Sequence, residues 1–136
     1  ARRMDLLLTH SVGCPAHFTQ IAALEALRGP QDRVAEVVQE YQARRDLLVN
    51  GLNSIPGITC QKPQGAFYVF PNVKSFGMKS SDLADYLLEE AGIAVLPGTS
   101  FGVYGEGYIR LSYSTSRENL LAGLNGLRIA FSKLSR

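Results

Sequence analysis

Arg110 is the residue whose type and position most invite chemistry. It sits in Tyr108-Ile109-Arg110-Leu111-Ser112-Tyr113, where Tyr108, Arg110 and Ser112 alternate with Ile109, Leu111 and Tyr113, the pattern of a strand with two different faces. A guanidinium in mid-strand is costly to bury unless it meets an anion, and its planar fork suits a two-point grip on a carboxylate. The alternative is a structural ion pair with a neighbour such as Glu106. Before this strand lies Pro97 to Gly107, with four glycines and a proline, which must be a loop. Gly98, Gly102, Gly105 and Gly107 do not match a phosphate-binding glycine pattern, and no helix follows them directly. The loop is therefore either a mobile element beside a bound substrate or a mere connection.

The elements that must position these residues follow from periodicity. Residues 1–14 show no clear period. Pro15 opens a helix to about Arg28, with Phe18, Ile21, Ala22, Leu24 and Leu27 on one stripe. Gly29 is expected to close it in a left-handed conformation, with Pro30 in the first turn of the next helix. That second helix runs from about Gln31 to Ser54, burying Val34, Val37, Val38, Tyr41, Leu48 and Leu52. Ile58 to Gln61 is a short strand. Gly65 to Pro71 is a strand whose apolar residues occupy both faces, so it is expected at the centre of the sheet. Ser81-Asp82 starts a helix burying Leu83 and Leu87, which Gly92 ends. Ala94 to Leu96 is a β-prone run. Thr115-Ser116-Arg117-Glu118 is a capping-box pattern opening a last helix with Leu120, Leu124, Leu127, Phe131 and Leu134 on one side. The order of elements predicts an α+β fold, a small, mostly antiparallel sheet with helices on one face.

Composition narrows the function classes. The 136 residues suffice for one core, 46% of them are hydrophobic and 19% charged, and the net charge is +2. No basic run is longer than two residues, which argues against nucleic acid. No apolar run is long enough to span a membrane, and Met4 to Leu8 is too short for a signal peptide. Cys14 and Cys60 lack metal-like spacing and are expected to be free thiols of a cytoplasmic protein. His10, His17 and Cys14 do not make a recognised ligand set, so no metal is expected.

Longer motifs sharpen this reading. Pro63-Gln64-Gly65-Ala66-Phe67-Tyr68-Val69-Phe70-Pro71 resembles the P-x-G-A-F-Y motif of class I/II, fold-type I aminotransferases that use pyridoxal phosphate. Gly92 to Gly98, Phe101-Gly102 and Gly105 to Leu111 are similar to the C-terminal signature of that family. Thr9-His10-Ser11 to Pro15, followed by Gln20 to Leu27, resembles the segment after its cofactor lysine. The resemblance covers the whole chain and is aspartate aminotransferase-like. It implies the small C-terminal domain over 29–136, with 1–28 belonging to the edge of a large N-terminal domain that lies outside this chain.

The resemblance also implies a function, the transfer of an amino group between an amino acid and a 2-oxo acid in a homodimer. Arg110 is the α-carboxylate ligand on this reading, and Gly98 and Phe101 are cleft-lining. Phe67 and Tyr68 line the cleft or belong to the core, the commoner fate of aromatics in a central strand. Ser11 corresponds to a position near the partner's active site. The cofactor lysine is expected upstream, outside the chain. Thr59-x-x-Lys62 only superficially imitates an S-x-x-K pattern, and Lys62, Lys74 and Lys79 are expected at the surface. The fragment alone is thus expected to be inactive. The alternatives are a non-catalytic interaction domain derived from the same fold, or a pyridoxal-phosphate lyase or synthase of the same superfamily.

Overall fold

The computed structural model describes residues 2–134. The chain divides after Ala35 into two compact units. The first holds helix α1 (Arg2–Ser11), helix α2 (His17–Arg28) and the first turn of α3 (Asp32–Asn53). The helix α1 is a departure from the aperiodic reading of residues 1–14. Leucines, which are unbranched at Cβ, lose little rotamer freedom in a helix and tolerate one without a clear stripe. The Thr9 and Ser11 hydroxyls donate back to the carbonyls of Asp5 and Leu7. Neither α1 nor α2 contains a buried residue. Gly29 ends α2 in an extended conformation (φ −70°, ψ 176°) and not a left-handed one. The next helix starts at Asp32, past Pro30.

The second unit carries the sheet and its core. Strands β1 (Tyr68–Val69), β2 (Leu96–Pro97) and β3 (Ile109–Ser112) are antiparallel in the order β1-β3-β2. Tyr68 pairs with Ser112, Val69 with Leu111, Leu96 with Arg110 and Pro97 with Ile109. The stretch Gly65 to Pro71 is therefore an edge element, not the centre. Its pairing shrinks to two residues because Ala66 adopts φ 60° and turns the chain, and Pro71 has no N–H to donate. Ile58 to Gln61 contributes only the isolated bridge Thr59 to Asn72.

Val69, Ile109, Leu111 and Tyr113 face helices α4 (Ser80–Ala91), α5 (Arg117–Leu134) and the C-terminal half of α3. Leu48, Val49, Leu52, Leu83, Leu87, Leu124, Leu127 and Phe131 complete that core. Each such side chain gains about 1.5–3 kcal/mol on full burial. Gly51 permits the approach of α3 to α5, since a Cβ there would lie 2.4 Å from Leu124 Cδ1. The expected stripe of α3 is only half buried: Leu48 and Leu52 are joined by Val49, while Val34, Val37 and Val38 stay exposed. Helix α4 ends as expected at Gly92 (φ 64°), whose N–H reaches the Leu88 carbonyl. Helix α5 is capped one residue later than the capping box predicts. The Ser116 hydroxyl accepts from the Asn119 N–H at 3.2 Å, and the Glu118 backbone N–H, followed by the Ser116 hydroxyl, holds the Glu118 carboxylate below its ordinary range.

Candidate carboxylate-binding site

The site stands on the face of the sheet turned away from the core. Strand alternation puts Tyr68, Arg110 and Ser112 there, opposite the buried Val69, Ile109 and Leu111. Arg110 is half-buried. Its Cζ lies 4.2 Å from the centroid of the Tyr68 ring and 4.3 Å from that of Phe101. Ring faces attract a cation, and stacking on them leaves the in-plane N–H donors of the guanidinium for a planar anion. Among the described residues no carboxylate forms an ion pair with Arg110.

Glu106, the alternative partner of Arg110, is engaged elsewhere. Its Oε1 accepts from the backbone N–H of Ser80 at 2.8 Å and from that of Gly107 at 3.2 Å. The buried Ser80 hydroxyl accepts from Gly107 N–H at 2.8 Å. A loop glutamate thus satisfies an open N–H at the first turn of α4, where negative charge is favoured.

The glycine-rich segment is two short 3-10 turns, Gly98–Phe101 and Val103–Gly105. Its neck is closed by backbone on backbone. The Tyr108 carbonyl accepts from Gly98 N–H at 2.8 Å. A Cβ on Gly98 would meet the Gly105 carbonyl oxygen at 2.2 Å, and one on Gly105 would meet that of Gly98 at 1.9 Å. Only glycine fits either position. The tip is bare, with Tyr104 94% exposed.

A ladder of rings extends from Arg110. Phe101 meets Phe70 edge-on at 6.1 Å, Phe70 stacks on Tyr108 at 5.3 Å, and Lys74 Nζ lies 5.1 Å from the Tyr108 ring. In the other direction Tyr68 contacts Phe67 at 4.3 Å. Phe67 is 42% exposed, so it is not a core residue. The Tyr113 hydroxyl donates to the Ala66 carbonyl at 2.8 Å and braces the turn that carries Phe67; burial pushes this phenol above its ordinary value, so it stays a donor.

The structure brings Arg110 and Phe101 together, joins Phe67 to them through Tyr68, and puts Gly98 at the buried neck of the loop. Ser11 lies exposed at the end of α1, in the first unit. The sequence left Tyr68 as cleft-lining or core without its contact to Arg110, and did not single out the Ser80–Glu106 contact. The face of Tyr68 relative to Arg110 depends on the pairing with Ser112, and Ser80 lies far from Glu106 along the chain.

All four lysines are exposed. Lys62 pairs with Asp46 at 2.8 Å and Lys133 with Glu90 at 2.8 Å, while Lys74 and Lys79 are exposed. An amine that must condense with an aldehyde needs to be free and enclosed. Cys14 is exposed and Cys60 buried, both unpaired. Among the described residues no helix is long and apolar enough to cross a membrane.

Comparison with known proteins agrees with this architecture. The aspartate aminotransferase of Pyrococcus horikoshii is 44% identical over 131 residues, covering 95% of this chain and 34% of that protein. A probable N-acetyl-LL-diaminopimelate aminotransferase of Bacillus subtilis is 44% identical over 120 residues, 88% of this chain and 30% of its own length. The crystal structure of the Rhizobium meliloti aspartate aminotransferase superposes with a TM-score of 0.88 at 37% identity, covering 96% of this chain and 35% of the other. The aromatic aminotransferase of Pyrococcus horikoshii gives a TM-score of 0.91 at 36% identity, over 97% and 36%. This chain spans about a third of the length of these relatives. The family profile "Aminotransferase class I and II" matches residues 3–127, and the chain belongs to that family.

Proposed function

We propose that this chain is the substrate-binding, C-terminal part of a pyridoxal-phosphate-dependent aminotransferase that moves an amino group between an amino acid and a 2-oxo acid, with Arg110 holding the α-carboxylate. One observation carries the role of Arg110. A half-buried guanidinium rests on two rings without a carboxylate among the described residues to neutralise it, and the nearest glutamate in sequence is committed to Ser80. An anion supplied from solution completes such a site. Two parallel hydrogen bonds fix both the position and the rotation of an amino acid, which group transfer at its Cα requires.

Pyridoxal phosphate, when bound, supplies the electron sink for that transfer. The four lysines here do not fit an attachment site, so we assign cofactor binding to the portion of the protein outside this chain, and the isolated fragment is expected to be inactive. Residues 29–136 serve as the small domain and residues 1–28 as an edge of the large one. The bare stripe Phe18, Ile21, Leu24 and Leu27 supports this division, since it would pack on the large domain or on the partner subunit of a homodimer. The unpaired thiols Cys14 and Cys60 suit a cytoplasmic protein.

The test is a screen of amino donors and oxo acids on the full-length protein with pyridoxal phosphate. Transamination of α-amino acids is expected, with no turnover of the corresponding amines that lack a carboxylate. Equal turnover of both would overturn the role of Arg110, and no transamination of any donor would overturn the activity.

A further inference from the structure

We propose that Phe101, backed by Tyr68, is a positioning residue that holds the Arg110 guanidinium ready for a carboxylate, so that the seat of the glycine loop sets the strength of the grip. The proposal rests on Arg110 being the carboxylate ligand. An arginine on a long, rotatable stem loses side-chain freedom when it binds, and a ligand site gains affinity when that ordering is done in advance. Here two rings from separate elements do the ordering: Tyr68 from β1, and Phe101 from the first 3-10 turn of the loop.

Burial does not account for the position of Phe101. It is 50% exposed and contributes nothing to the buried core, yet its ring centroid lies 4.3 Å from the Arg110 Cζ. Its backbone is tied down on both sides. Gly102 N–H donates to the Thr99 carbonyl, Gly98 N–H to that of Tyr108, and the far end of the loop is latched through Glu106 to Ser80. The edge-on contact with Phe70 limits how far the ring can tilt. The anchored backbone and the Phe70 contact together favour the rotamer that keeps the ring against the guanidinium.

The experiment uses the full-length protein with its best amino donor, and 15N-arginine NMR of the same variants. Phe101→Leu should raise KM about tenfold with kcat within about threefold of wild type. The Arg110 Nε–Hε resonance should lose the shift that the ring imposes. Phe101→Tyr, which keeps the ring, should stay within about twofold of wild type in KM. Tyr68→Leu should move KM in the same direction as Phe101→Leu. A merely structural role would lower kcat through loss of active protein and leave KM in place, which would overturn the proposal. If Phe101→Leu and Tyr68→Leu leave KM unchanged while Arg110→Lys damages it, positioning falls and the carboxylate reading stands. If Arg110→Lys is also without effect, both fall.

Discussion

The two faces of the sheet are made by the same short strands and are held in different ways. On one face Val69, Ile109, Leu111 and Tyr113 are buried against three helices, where close packing fixes each side chain. On the other, Tyr68, Phe70, Tyr108 and Arg110 stay partly open and are ordered by ring and cation contacts. The first face supplies stability. The second is left incomplete, with donors that nothing among the described residues neutralises. Alternation along β3 connects them, so the burial of Ile109 and Leu111 is what aims Arg110 outward.

The sharpest break in that contrast comes from charge. Ile109→Asp places an unpaired carboxylate at a fully buried position, with a cost of several kcal/mol that is comparable to the whole stability of a small domain. The expected result is loss of the cooperative unfolding transition in circular dichroism. Ser112→Ala, three residues along β3 on the open face, should cost less than about 1 kcal/mol in a urea titration. Similar losses at both positions would erase the distinction between the faces.

Next in size is the loop neck. Gly105→Ala would push a Cβ into the Gly98 carbonyl oxygen and force two backbone segments apart. A loss of about 1–3 kcal/mol is expected by denaturant unfolding, together with a higher KM for the amino donor. A change in stability with KM unmoved would show that the neck serves the fold alone.

The smallest effect concerns acid. Hydrogen bonds from Arg117 and then Arg44 hold the Glu40 carboxyl at about 2, below its ordinary 4.5. A depressed carboxylate pKa means that its contribution is fully present above pH 4.5 and is lost as pH falls toward 2. Glu40 ties α3 to Arg117 at the start of α5, on the core side of the molecule. In Glu40→Gln the decline of stability between these pH values should be shallower than in wild type, measured by urea unfolding across the range. Identical slopes would remove Glu40 from the account.

Much of the core face was legible in sequence. The i, i+4 spacing of Leu120 and Leu124 placed α5, and the alternation from Tyr108 to Tyr113 sorted the residues of β3 onto the two faces that the structure shows. The open face was harder. Gly65 to Pro71 carries apolar residues on both sides, which suggests burial on both, yet Phe67 and Phe70 are exposed because their rings belong to the ladder around Arg110. The rule that apolar runs are buried fails where aromatic rings order a cation. Likewise Val34, Val37 and Val38 continue the helical stripe of α3 without being covered, since periodicity reports a face but not what lies against it. The partner of Glu106 was out of reach for a further reason: proximity in sequence favoured Arg110, whereas the fold delivers Ser80.

The central claim is that the open face of the sheet binds a carboxylate through Arg110, and one titration addresses it most directly. Succinate would be added to the full-length protein and to its Arg110→Lys variant while binding is followed by calorimetry. Lysine keeps the charge and loses the two-point grip. Succinate should bind the native protein, and the substitution should weaken that binding by about 2–5 kcal/mol while leaving the unfolding temperature within a few degrees. Equal affinity of the two proteins for succinate would contradict the account.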